Sequence, residues 1–157
     1  RLQANDSSIS GNISNLSGMT GMVTLRLQNT SVSGALSGIS GLTTMTSGRV
    51  DGTSVSGDIA DIAALSSLTL FYANSSSVDT YTGSTALPAW DSADLRFDNL
   101  GLSSTEVDDF LIDLEDGGNN GNNGTLNIAG TNAARTSASD TAYNNLVTDG
   151  WTITVNT

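Results

Sequence analysis

Arg26, Arg49 and Tyr72 recur at one fixed step along the chain, and Arg96 takes the matching place between Leu95 and Phe97. Two residues further on, Gln28, Asp51, Asn74 and Asp98 form a companion row. These eight side chains are the candidate ligand-binding set. Arginine can grip a carboxylate or sulfate through paired N–H donors. Tyr72 could stack on a sugar or pack against a protein partner. The chain has no lysine and five arginines, so three arginines in one row is a concentration of its scarce cations. Asn127 and Thr152 extend the row. The competing explanation is that each arginine pairs with Asp51, Asp98 or another acid on a solvated face.

Other chemistry finds less support. Histidine and cysteine are absent, which removes the usual base, thiol and zinc ligands. No Gly-x-Ser-x-Gly elbow and no phosphate-binding P-loop occurs. Two carboxylates can cleave a glycoside, but nothing isolates such a pair here. Glu106, Asp108, Asp109, Asp113, Glu115 and Asp116 invite a catalytic or metal reading, but most of them read as the wet side of a helix. Asp58 and Asp61 read as solvated acids on a turn. The oxygen-rich run from Asp116 to Gly124 could attract calcium, but it lacks the ligand spacing of an EF-hand. The expectation is a non-enzymatic protein with no cofactor and no metal site.

Sixteen acids against five bases give a net charge of −11. That balance disfavours nucleic acid as a partner. No apolar run is long enough to insert in a membrane. The chain opens on Arg1-Leu2-Gln3-Ala4 rather than Met, and the expectation is either processing or trimming upstream.

The elements that would carry the row follow from a strict period, the step from Arg26 to Arg49. Ser8-Ile9-Ser10-Gly11 returns at that step as Ser31-Val32-Ser33-Gly34 and again as Ser54-Val55-Ser56-Gly57. Apolar columns keep the same step: Ile9, Val32, Val55 and Val78; Ile13, Leu36 and Ile59; Leu16, Ile39 and Ile62; Met19, Leu42 and Leu65; Met22, Met45 and Leu68. One coil cannot bury such a stripe, but stacked coils can. Leu25-Arg26-Leu27 alternates as a short strand, with equivalents near Arg49 and Tyr72. Side by side these strands make a parallel sheet. Thr30, Thr53 and Ser76 are placed to bond turn backbone groups. Gly48 sits where the pattern calls for leucine.

The expected architecture is one α/β solenoid domain over 1–157, with regular repeats in 8–79 and irregular repeats plus a cap in 80–157. In the second part, Tyr81 to Asp91 reads as a loop, and Ser103 with Glu106 as a capping box. A helix follows that buries Val107, Phe110, Leu111 and Leu114. Asn119 to Gly124 reads as a loop. A weaker helix start at Ser137 and Asp140 places Ala142, Leu146 and Val147 inward. Trp151, Ile153 and Val155 alternate in a final strand. The amino-terminal end carries no cap and is expected to pack on another domain or subunit.

The run Met22-x-x-Leu25-x-Leu27-x-x-Thr30-x-Val32-Ser33-Gly34-x-Leu36-x-x-Ile39-x-x-Leu42 resembles a leucine-rich repeat of the plant or bacterial type. That family usually has Asn where this chain has Thr30, Thr53 and Ser76. The resemblance implies a curved solenoid with a strand-lined concave face, and no reaction. Asn123-Gly124-Thr125-Leu126-Asn127-Ile128-Ala129-Gly130 with Gly150-Trp151-Thr152-Ile153-Thr154-Val155 resembles a terminal module of leucine-rich-repeat proteins from bacteria and bacteriophages. It implies a phage virion surface protein: a tail-fibre, receptor-binding or capsid-decoration module. Its partners would be other virion proteins or a host-surface glycan or protein, and an oligomer is compatible with it. The alternative is a secreted or cell-surface bacterial adhesin, or an extracellular filament subunit.

Overall fold

Branched and aromatic residues alternate with serine and glycine over short runs. Such runs favour strands of a few residues, too short to stand alone. In the computed structural model of the chain, which describes residues 1–83, 86–90, 92–119 and 123–157, they join into two parallel sheets. In chain order the strands are β1 (Leu2–Gln3), β2 (Ser10–Asn12), β3 (Thr24–Arg26), β4 (Ser31–Ala35), β5 (Ser47–Arg49), β6 (Ser54–Asp58), β7 (Leu70–Tyr72), β8 (Ser77–Thr80), β9 (Asp94–Arg96), β10 (Thr125–Asn127) and β11 (Thr152–Thr154). The first sheet runs β1-β3-β5-β7-β9-β10-β11 and the second β2-β4-β6-β8. Helices α1 (Ser104–Asp116) and α2 (Asp140–Thr148) lie in the C-terminal part.

The first sheet sets Leu25 opposite Gly48, Gly48 opposite Phe71 and Phe71 opposite Leu95. Leu126 and Ile153 continue that line. The second sheet pairs Ser10 with Ser31, Ser33 with Ser54 and Ser56 with Ser77. The pairing offset there is two positions shorter than in the first sheet, where Thr24 meets Ser47. Ser31, Ser54 and Ser77 line up in sequence, but the structure staggers them by those two positions. The sequence reading anticipated only the first sheet. The second arises because Ser-Val-Ser-Gly alternates, turning Val32, Val55 and Val78 into the core.

Side chains of both sheets meet in one apolar cluster, with Leu25, Phe71 and Leu95 from the first and Val55 and Val78 from the second. Three 3-10 turns, Ile13–Leu16, Leu36–Ile39 and Ile59–Ile62, complete it. Each has apolar residues at its first and fourth positions, which eclipse at three residues per turn and so share one face. Asn12 and Asp58 cap two of them, accepting from Ser14 N (2.9 Å) and Ala60 N (2.8 Å). A Cβ on Gly34, at φ +101°, would overlap the Asn12 side chain.

The hydroxyl ladder has the expected chemistry. Thr30, Thr53 and Ser76 each donate to the carbonyl three residues back (Leu27, Val50 and Ala73) at 2.6 Å. Each accepts from the N–H two residues on, at 3.2–3.5 Å. Gly48 has a packing reason: a Cβ there would lie 2.7 Å from the Phe71 ring. The aromatic fills the space that leucine would occupy.

Helix α1 carries the full capping box. Glu106 N donates to Ser103 Oγ, and Ser103 N to Glu106 Oε2 at 2.8 Å. Its apolar face is fully buried, as expected. Helix α2 departs from expectation at two points. Thr136, not Ser137, caps the 3-10 turn that leads into it. Val147 is 44% exposed, because Ala142 and Leu146 take the inward face and the next residue rotates about 100° away. The described parts of Tyr81 to Asp91 and of Asn119 to Gly124 form no regular element. Ser84, Thr85, Asp91, Asn120, Gly121 and Asn122 lie outside the described residues, and with them the middle of the calcium-loop reading. Among the described residues no helix is long and apolar enough to cross a membrane.

Candidate functional site

The register of the first sheet puts Gln3, Arg26, Arg49, Tyr72, Arg96, Asn127 and Thr154 in one row. Thr154 takes the place expected for Thr152, which instead pairs with Thr125. Strand spacing of about 4.8 Å gives the row a length of roughly 29 Å. The backbone ladder runs on past the strands: Asn29 N donates to Asp51 O, Gly52 N to Asn74 O and Ser75 N to Asp98 O. Gln28, Asp51, Asn74 and Asp98 thereby form the adjoining row, so all eight candidate residues lie along the same side of the sheet.

The middle of this surface is a polar network. Arg49 grips Asp51 with two donors, Nε to Oδ1 at 3.0 Å and Nη2 to Oδ2 at 2.7 Å. The bond to Asp51 raises the Arg49 pKa further above its ordinary value. Tyr72 lies between two guanidinium groups, with Arg49 Cζ 4.9 Å and Arg96 Cζ 4.4 Å from its ring centroid. Its hydroxyl donates to Asp94 Oδ2. Asp94 Oδ1 lies 3.5 Å from Arg96 Nε, an ion pair without hydrogen-bond geometry. Burial, and then the bond to Asp94, push the Tyr72 phenol up.

Two arginines and two aspartates therefore neutralise each other around one ring. The pairing explanation holds for Arg49 with Asp51. For Arg96 the acid is Asp94 rather than Asp98, which accepts from Asn99 Nδ2 at 2.8 Å. Asp94 escaped the sequence reading, though its place two residues before Arg96 on the same strand face was the available signal. A sugar stacked on Tyr72 would first have to displace a guanidinium.

Beside this network lie polar groups with no protein partner. Arg26 Nε, Gln28 Oε1 and Asn74 Oδ1 are buried and make no hydrogen bond among the described residues. Gln28 is only 6% exposed. An unmet buried polar group costs about 1–3 kcal/mol, so each gains if a ligand or water completes it. Together they offer one donor and two acceptors, two of them on the coil of β3 and one on the coil of β7, with β5 between.

The acids of α1 are not uniformly wet. Asp108 is 4% and Asp113 8% exposed. Asp108 accepts from Thr136 N (2.9 Å), Thr136 Oγ1 (2.6 Å) and Ser139 Oγ (2.5 Å). Burial alone would raise its pKa, but the bonds from Ser139 and Thr136 outweigh burial and hold it below the usual carboxylate range. Asp113 accepts from the Tyr81 hydroxyl at 2.8 Å. Burial pushes its pKa up, the Tyr81 bond opposes this, and the charges of Asp109 and Asp116 add to the rise. Asp58 also has partners, Ala60 N and the backbone and hydroxyl of Thr82. These acids pin segments together. No protein-family model matches the chain, and no curated protein matches it.

Proposed function

We propose that this chain is a short leucine-rich-repeat-like solenoid acting as a non-enzymatic recognition module. Its ligand is a hydroxyl-bearing host-surface glycan or protein segment, bound across the row from Arg26 to Asn74. The observation that carries this reading is the set of unpartnered atoms Arg26 Nε, Gln28 Oε1 and Asn74 Oδ1 beside a pre-ordered Arg49–Tyr72–Arg96 stack. Hydroxyl groups both donate and accept, so they answer all three atoms. The stack supplies a rigid wall and little net charge, which favours a neutral ligand over a strongly anionic one.

The phage virion setting, as a tail-fibre, receptor-binding or decoration module, rests on the terminal sequence module described above. A bacterial adhesin would use the same surface.

A fluorescent preparation of the chain on printed glycan arrays and on bacterial cells tests the reading. Arg26→Ala with Gln28→Ala is expected to abolish the signal without changing the circular dichroism spectrum. Ser33→Ala, on the second sheet, is expected to leave it intact. Binding that survives the double substitution refutes the placement. Antibody labelling of purified phage particles against cell envelopes decides the setting.

A further inference from the structure

The arginines of the first sheet find their acids two residues away on the same coil, with one exception. Arg49 holds Asp51, two residues after it, at 2.7 Å. Arg96 pairs with Asp94, two residues before it, at 3.5 Å. Around Arg26 the same two positions hold Thr24 and Gln28, and neither is acidic. Its neighbours in register across the sheet are Gln3 and Arg49, one uncharged and one of like charge. Residues 1–57 contain two acids, and both are engaged elsewhere. Asp51 is gripped by Arg49, and Asp6 accepts from the side-chain amides of Asn5 and Asn29 at 2.7 and 2.8 Å. Arg135, outside the row, has Asp140. Among the described residues Arg26 takes part in no ion pair, and its Nε is buried without a hydrogen bond.

The side chain of Arg26 is half-buried on β3. A cation partly removed from water and given no anion in return is poorly stabilised. A carboxylate is its natural complement, because it accepts two parallel N–H bonds from the guanidinium fork. The charge distribution admits such a group at this place. Residues 1–57 hold three arginines and two aspartates, a net charge of +1, whereas residues 58–157 hold two arginines and fourteen acids, a net charge of −12. An anionic group is repelled by the second part and tolerated over the first. One unpaired guanidinium calls for one carboxylate, and the neutralised Arg49–Tyr72–Arg96 stack meets the uncharged part of the same ligand. Gln28 Oε1 stands on the coil of Arg26, and Asn74 Oδ1 is two strand spacings away, roughly 10 Å. A sugar acid carries a carboxylate and hydroxyls on one ring. One ring therefore serves Arg26 and Gln28, and the hydroxyls of the next serve Asn74. An aspartate or glutamate side chain brings the carboxylate without a hydroxyl beside it.

We propose that the ligand of this face is a glycan containing a sugar acid, of the uronic acid type, and that Arg26 selects it by binding its carboxylate. The inference deepens the recognition reading above and rests on it. Arg26 sets the preference for the acidic over the neutral sugar, while Gln28 and Asn74 hold hydroxyls.

Glycans printed in matched pairs test the proposal, each uronic-acid glycan beside its carboxyl-reduced neutral form, with glutamate-rich peptides on the same slide. The chain is expected to bind the acidic member at least about tenfold more tightly, the step that one charge-assisted pair contributes. Arg26→Gln should bring both members to the affinity of the neutral one. Gln28→Asp places an acid where Asp51 stands relative to Arg49, so it should pair Arg26 internally and erase the same preference. Ser33→Ala, on the second sheet, should keep it. Equal binding of the two members, lost on Asn74→Ala, overturns this inference and leaves the recognition reading standing. A preference that survives both Arg26→Gln and Gln28→Asp overturns it as well. Binding to the peptides alone gives the carboxylate to a protein partner and overturns the sugar acid. Binding to no glycan and no peptide overturns the inference together with the reading beneath it.

Discussion

Replacing Asp108 by alanine removes the acceptor for three donors at once. The residue is 4% exposed and its carboxylate binds Thr136 N, Thr136 Oγ1 and Ser139 Oγ at 2.5–2.9 Å. Hydrogen bonds to a charged group contribute about 1.5–3 kcal/mol each and do not add fully. Alanine also strands the Thr136 N–H and the buried Ser139 hydroxyl. The expected loss is about 4 kcal/mol, a large part of the roughly 5–15 kcal/mol that holds a domain folded. With a urea slope near ~2 kcal/mol/M, the unfolding midpoint should fall by about 2 M. Equilibrium urea titration followed by tryptophan fluorescence reads this directly, because Trp90 and Trp151 are both buried. The pH dependence supplies a second reading. The folded-state pKa of Asp108 lies below its ordinary value of 3.8. Its stabilisation is therefore present above that value and is lost as pH falls through the lower folded-state pKa. The gap between wild type and Asp108→Ala should narrow towards strong acid. A midpoint change under about 0.5 M, or a gap that keeps its full size at acid pH, refutes the clasp reasoning.

Gly48→Leu should destabilise the chain by about 1–3 kcal/mol through overpacking on Phe71, and Phe71→Leu in the same chain should recover part of the loss in a double-mutant cycle. Thr53→Val should cost about 1–2 kcal/mol by removing the turn hydroxyl, whereas Thr53→Ser should cost less, since Ser76 makes the same pair of bonds. Equilibrium denaturation of the two Thr53 variants side by side checks the order. Asp113 has a folded-state pKa raised above 3.8, so its contribution favours folding below that value and is lost as pH rises through the folded-state pKa. Asp113→Asn should accordingly gain stability relative to wild type between strongly acid and neutral pH, and denaturant titrations at the two extremes check the sign.

Legibility from sequence divides by range. The strands at Arg26, Arg49 and Tyr72 were legible because in–out alternation is local. The capping box of α1 was legible because Ser103 and Glu106 are three residues apart. Gly48 could be read only as a defect, since its reason is the Phe71 ring on the neighbouring strand, a full repeat away. Asp108 and Asp113 looked wet because hydropathy assigns acids to water, while their partners Thr136 and Tyr81 are remote in sequence. The apolar columns marked Ile9 and Met19 as core residues, but among the described residues no layer stacks on theirs, and they are 40% and 50% exposed. At the site, spacing alone brought the eight residues to one side. Which arginine is engaged and which has no acid partner among the described residues depends on Asp94 and on side-chain reach.

The two registers restrict how the length of this chain can change in evolution. A gain or loss of one whole repeat within the N-terminal half leaves the pairing offsets of both sheets intact, whereas any other step slips at least one of them. Even the permitted step is not symmetric. Loss of the unit containing Gly48 would bring Leu25 against Phe71, where there is no room for a side chain. Duplication of that unit would set glycine opposite glycine and leave a hollow. Crowding and voids are both penalised, but a hollow can be filled by one later substitution at the glycine that does not border Phe71. Growth is thus the easier path for this fold, and Gly48 is the position at which a newly lengthened chain would first be expected to change.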